Sequence, residues 1–143
     1  MKQLKKLYAQ FKPEHYLLSF RQLGRSFEGH LEINGKKAGR PSKRIALHQK
    51  GLKVEQARII RKDAKGETEY EISRINHLPT FEEVRIHTHD LMLPGVYQIS
   101  LDYKSDQKNA LEPKRLQTDV SRRNLLPSVD EPEAWAESNV EIK

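Results

Sequence analysis

Between Glu83 and Tyr103 the chain alternates apolar and polar positions. Val84 and Ile86 interleave with Arg85 and His87, and Leu91 and Leu93 lead into Pro94-Gly95. Tyr97, Ile99, Leu101 and Tyr103 then interleave with Gln98, Ser100 and Asp102. Successive side chains of a strand point to opposite faces, so a period of two predicts one buried face and one wet face. Pro presets the backbone for a turn, and Gly accepts a positive φ. The segment therefore predicts two antiparallel strands paired through a turn at Pro94-Gly95, at the centre of a β-sandwich.

The same period recurs upstream. Tyr16, Leu18 and Phe20 alternate with Leu17 and Ser19, and Phe27, Gly29, Leu31 and Ile33 with Glu28, His30 and Glu32; the polar link Arg21 to Ser26 reads as the loop between them. Asn34-Gly35 is a turn signal followed by a charged loop, Lys36 to Ser42. Ile45 and Leu47 predict a short strand, and Leu52 and Val54 start one that runs through Ala57 and Ile59. After the loop Asp63 to Gly66, Tyr70 and Ile72 predict a further strand, closed by Pro79. About seven short strands at intervals of roughly ten residues argue for a sandwich or barrel. Ahead of them, Leu4, Leu7, Tyr8 and Phe11 at helical spacing predict a short amphipathic helix over residues 2 to 11. The expected organisation is an N-terminal helix or arm over residues 1–12 and a β-sandwich domain over 13–143.

Beyond Tyr103 the pattern fades. Lys104 to Arg115 reads as a polar loop, Asp130-Glu131-Pro132 as a turn, and Glu133 to Ser138 as a helical turn packed on the body through Trp135. Val140-Glu141-Ile142 opens a strand at the end of the chain, which suggests a domain cut short at its C-terminal side.

With 143 residues, 36% apolar and 32% charged, a single modest core with long wet loops is expected. No apolar run approaches the length that spans a bilayer, the basic N-terminus lacks the apolar stretch of a secretory signal, and there is no cysteine. A cytoplasmic location is expected, with no membrane partner. The net charge of +6 favours acidic partners in general. Its basic pairs are dispersed among carboxylates and lack the stacking aromatics of single-strand binders, so no nucleic acid is expected.

Catalytic signatures are missing. None of the six histidines begins His-Glu-x-x-His, there is no Gly-x-Ser-x-Gly, and no glycine-rich phosphate loop precedes a helix. His87 and His89 could share one strand face beside Asp90, a weak metal candidate against the ordinary reading of a solvated strand. Asp130 and Glu131, adjacent in a turn, diverge too far to act as a catalytic carboxylate pair. No catalytic residue, metal or cofactor is assigned to this chain.

Several stretches, taken in order, resemble the N-terminal domain of the aminopeptidase N family of zinc metallopeptidases. They are Pro13-x-His15-Tyr16-x-Leu18, Phe27-x-Gly29-x-x-x-Ile33, Ile45-x-Leu47-His48-x-x-x-Leu52-x-Val54, Leu93-Pro94-Gly95-Val96-Tyr97-Gln98-Ile99, and finally Arg122-Arg123, Pro127, Asp130-Glu131-Pro132, Ala134 and Ala136. The resemblance implies a saddle-like antiparallel sandwich packed on a separate catalytic domain of the same polypeptide. That domain would hold the zinc and act on peptide N-termini; neither its His-Glu-x-x-His nor its Gly-Ala-Met-Glu-Asn motif occurs here, so the chain alone is expected to be no enzyme. The family's N-terminal domain offers one Glu or Gln to the substrate's free amine. The matching position is Gln117 or Thr118, depending on where a one-residue shift near Asn124 is placed. Arg123, Pro127, Asp130, Glu131 and Pro132 carry the structural motif. The alternative expectation is a stand-alone β-sandwich protein-binding module without a catalytic partner.

Overall fold

A computed structural model describes residues 10–23, 26–105, 126–129 and 139–142. Nine strands account for most of them: β1 (Phe11–Leu23), β2 (Ser26–Lys37), β3 (Ser42–His48), β4 (Leu52–Asp63), β5 (Gly66–Tyr70), β6 (Ile72–Leu78), β7 (Glu83–Met92), β8 (Gly95–Ser105) and β9 (Asn139–Ile142). A single 3-10 turn at Pro79–Phe81 precedes β7, and no α-helix occurs among the described residues. Six strands form one sheet in the order β5-β4-β8-β2-β1-β9, and three form a second in the order β3-β7-β6. All the pairings are antiparallel except that of β9, which runs parallel to β1.

The alternation read from the sequence is the alternation that is buried. Tyr97, Ile99, Leu101 and Tyr103 of β8, Leu31 and Ile33 of β2, and Tyr16 and Leu18 of β1 lose essentially all exposure, as do Val84 and Ile86 of β7 and Leu47 of β3. These residues of both sheets belong to one hydrophobic cluster. At about 25 cal/mol per Å² of apolar area removed from water, such burial is the main favourable contribution to folding.

Two bulges keep the inward phase where the sequence changes step. In β4, Val54 pairs with Tyr103 but Gln56 with Asp102, so Glu55 is the extra residue. That insertion lets Leu52 and Val54 before it, and Ile59 after it, all reach the core. Glu14 does the same in β1, between Pro13 opposite Gly35 and His15 opposite Asn34, and brings Phe11 and Tyr16 to one side.

Several sequence expectations are corrected. The segment 83–103 supplies two strands, but they do not pair with each other. β7 is the middle strand of the three-stranded sheet, while β8 pairs with β2 and β4 inside the six-stranded one. Pro94-Gly95 thus carries the chain from one sheet to the other. The tie at this crossing is the Tyr97 hydroxyl, which donates to the Leu93 carbonyl at 2.5 Å. Tyr70 and Ile72, expected on one strand, lie on β5 and β6 in different sheets, with Glu71 at the switch.

Asn34-Gly35 is no turn either, for it sits inside β2 opposite His15 and Pro13. The glycine is needed for room: a Cβ there would lie 2.5 Å from the Lys12 carbonyl oxygen and 2.9 Å from the Phe11 ring. Pairing between β1 and β2 runs out to Leu23 opposite Ser26, so Arg21, Gln22, Leu23 and Ser26, expected in a loop, belong to the strands. Of the helix expected over residues 2–11, all but the last two positions lie outside the described residues, and Phe11 opens β1 instead.

Candidate functional site

Of the residues singled out by the resemblance, Gln117, Thr118, Arg123, Asp130, Glu131 and Pro132 lie outside the described residues, as do the rest of the loop expected over Lys104 to Arg115 beyond Ser105 and the helical turn expected over Glu133 to Ser138. Pro127 is described, and it is buried between Leu126 and Ser128. This short segment is tied to the body twice. Ser128 and His48 exchange backbone hydrogen bonds (2.6 and 3.0 Å) at the end of β3, and the Val129 amide donates to the Tyr16 hydroxyl at 3.1 Å. Its described part therefore acts as a clamp across both sheets.

His87 and His89 do share β7, but their surroundings differ. His89 is exposed and lies 3.9 Å from Glu71. His87 stands opposite Arg44 of β3 and Arg74 of β6. Burial, and then the positive charges of Arg74, Arg44 and Arg85, hold its pKa below the ordinary histidine value. That surrounding charge repels a metal cation. Among the described residues no three His, Asp or Glu side chains gather as a metal site would need.

Two shallow depressions lie among the described residues. One, of about 390 Å³, lies where the β3–β4 link meets β6 and is lined by Gln49, Lys50, Lys53, His77, Pro79 and Glu82 among others. Its polar groups are turned on one another. The Gln49 carboxamide accepts from the Leu52 amide at 3.0 Å and donates to the Glu83 carbonyl at 3.2 Å, while His77 Nε2 accepts from the Val54 amide at 3.0 Å. Glu82, with φ 53°, closes the turn that passes through it. This is a clasp between β4 and β6 more than a receptor.

The other, of about 310 Å³, opens on the six-stranded sheet and includes Ser19, Arg21, Glu28, His30, Glu55 and Asp102 in its lining. Ser19 of β1, His30 of β2 and Asp102 of β8 are cross-strand neighbours in one row. His30 Nδ1 is 2.6 Å from Asp102 Oδ1, with both side chains about half exposed. Arg21 and Glu28, 3.5 Å apart, pair in the next row. A carboxylate on Nδ1 orients the imidazole and leaves Nε2 to accept a hydrogen bond. The row can therefore hold a small polar group; water screens its charges because the face is open.

The sequence marks His30 and Asp102 only as polar positions of alternating strands. The pairing of β2 with β8 across 72 residues is what makes them a dyad, and no local pattern encodes it.

No protein-family model matches this chain, and no curated protein matches it.

Proposed function

We propose that this chain is a non-catalytic β-sandwich domain of the kind that opens the zinc aminopeptidases of the aminopeptidase N family, a saddle-like wall packed against a separate catalytic domain of the same polypeptide in the cytoplasm. Zinc and peptide hydrolysis belong to that other domain in this reading, and the present chain narrows the cleft to peptide N-termini. One observation carries it. The first four stretches bearing the resemblance fall, in order, on β1, β2, β3 with β4, and the crossing into β8, and supply inward positions of both sheets. They are the framework of the fold and not scattered surface matches.

The test is hydrolysis of amino-acid arylamides by highly pure protein, with and without added zinc. The expected result is no turnover in either condition; turnover abolished by a chelator overturns the proposal. The open depression at Ser19, His30 and Asp102 favours a second reading, a stand-alone module that binds a protein partner on its six-stranded sheet. The reading frame separates the two: continuation past Lys143 into His-Glu-x-x-His supports the first, and a stop codon there supports the second.

A further inference from the structure

On the outer face of the three-stranded sheet, Arg44 of β3, His87 of β7 and Arg74 of β6 form one transverse row. Paired strands lie about 4.8 Å apart, so the two arginine backbones stand roughly 10 Å apart with the imidazole between them. Arg85 follows two residues along β7, between Ala46 and Asn76. Its guanidinium is answered by Glu83, with Nε 3.2 Å from the carboxylate. Arg44 and Arg74 are exposed, and among the described residues neither makes an ion pair. His87 Nε2 is closed off from water and has no hydrogen-bond partner. Among the described residues the row thus holds two uncompensated positive charges and an unsatisfied ring nitrogen, an arrangement that costs stability through like-charge repulsion.

We infer that the Arg44–His87–Arg74 row is a binding site for a tetrahedral oxyanion of the phosphate type. Guanidinium forks grip such an anion through paired N–H donors. A dianion matches the two unpaired charges, whereas a carboxylate or chloride balances only one. Long, exposed arginine side chains can part and close around the anion, which then reaches the Nε2 edge of His87. The inference does not depend on the aminopeptidase reading, since the row lies on the three-stranded sheet and the depression at Ser19, His30 and Asp102 on the six-stranded one.

The test is a titration of isotope-labelled protein with inorganic phosphate at constant ionic strength near neutral pH, following the arginine Nε–H and histidine ring signals. Saturable shifts at Arg44, Arg74 and His87 are expected, with a dissociation constant on the order of a millimolar. The double variant Arg44→Gln/Arg74→Gln should bind about tenfold more weakly or worse while keeping its amide spectrum, because both positions are exposed. Acetate should bind more weakly than phosphate. Phosphoserine in a parallel titration distinguishes the source: tighter binding than phosphate indicates a phosphomonoester, and weaker binding indicates the free ion. Absence of saturable shifts in the native protein overturns the inference, as do equal shifts in the double variant.

Discussion

Gly29 sits where a Cβ would come within 2.5 Å of the Tyr103 ring. The two residues are register partners on β2 and β8, and Phe27 meets the same ring edge-on, with centroids 6.2 Å apart. A rigid aromatic buried to 1% exposure has nowhere to retreat. Gly29→Ala should therefore destabilise the protein by about 1–3 kcal/mol, the usual cost of overpacking; urea melts would show it, and an unchanged midpoint would mean that Tyr103 yields freely. The sequence displays Phe27, Gly29 and Tyr103 as inward positions, but not that the glycine exists to make room for the tyrosine. Gly35 teaches the same lesson from the other side. Next to Asn34 it reads as a turn, yet it serves close packing against Phe11 and Lys12.

Strands were legible wherever alternation was long, as in β2 and β8, because burial of one face imposes that pattern directly. Partners were not, since the same alternation suits any neighbour that offers an apolar face. Hence β7 and β8 look like a hairpin and are the middles of two different sheets. The His77 contact belongs to this level too. Beside the bulge at Glu55, the Val54 amide finds its acceptor not in a neighbouring strand of its own sheet but in His77 Nε2, on β6 of the other. Substituting His77→Phe keeps a planar ring and removes the acceptor. A loss of about 1–3 kcal/mol is expected for the amide left unpaired. Faster amide exchange at Val54 would accompany it, and protection equal to the native protein would show that the contact carries little.

For the molecule as a whole, acid stability should carry the mark of His87. Its folded pKa lies below the ordinary value near 6.5, through burial and the facing Arg74, Arg44 and Arg85, with Glu83 the carboxylate nearby, engaged by Arg85. Below that value the unfolded chain takes up a proton that the folded one resists. The stability present above about 6.5 is thus lost as pH falls towards the folded pKa. Denaturant melts at neutral and mildly acid pH should show a smaller acid loss in His87→Gln than in the native protein; equal losses would remove His87 from the account. The two-sheet, mainly β character was readable from spacing alone. The sites were not, because the dyad at His30 and Asp102 and the row at Arg44, His87 and Arg74 exist only once distant strands pair.

The crossing at Leu93-Pro94 has a mechanical consequence. Three backbone steps separate Met92 from Gly95, a reach of about 11 Å at most, and stacked sheets sit about 10 Å apart. A tether with so little slack, joining a middle strand of each sheet, should couple the loss of one sheet to the loss of the other. The two sheets should therefore come apart in one event, as a clasp fails and not as a zip opens.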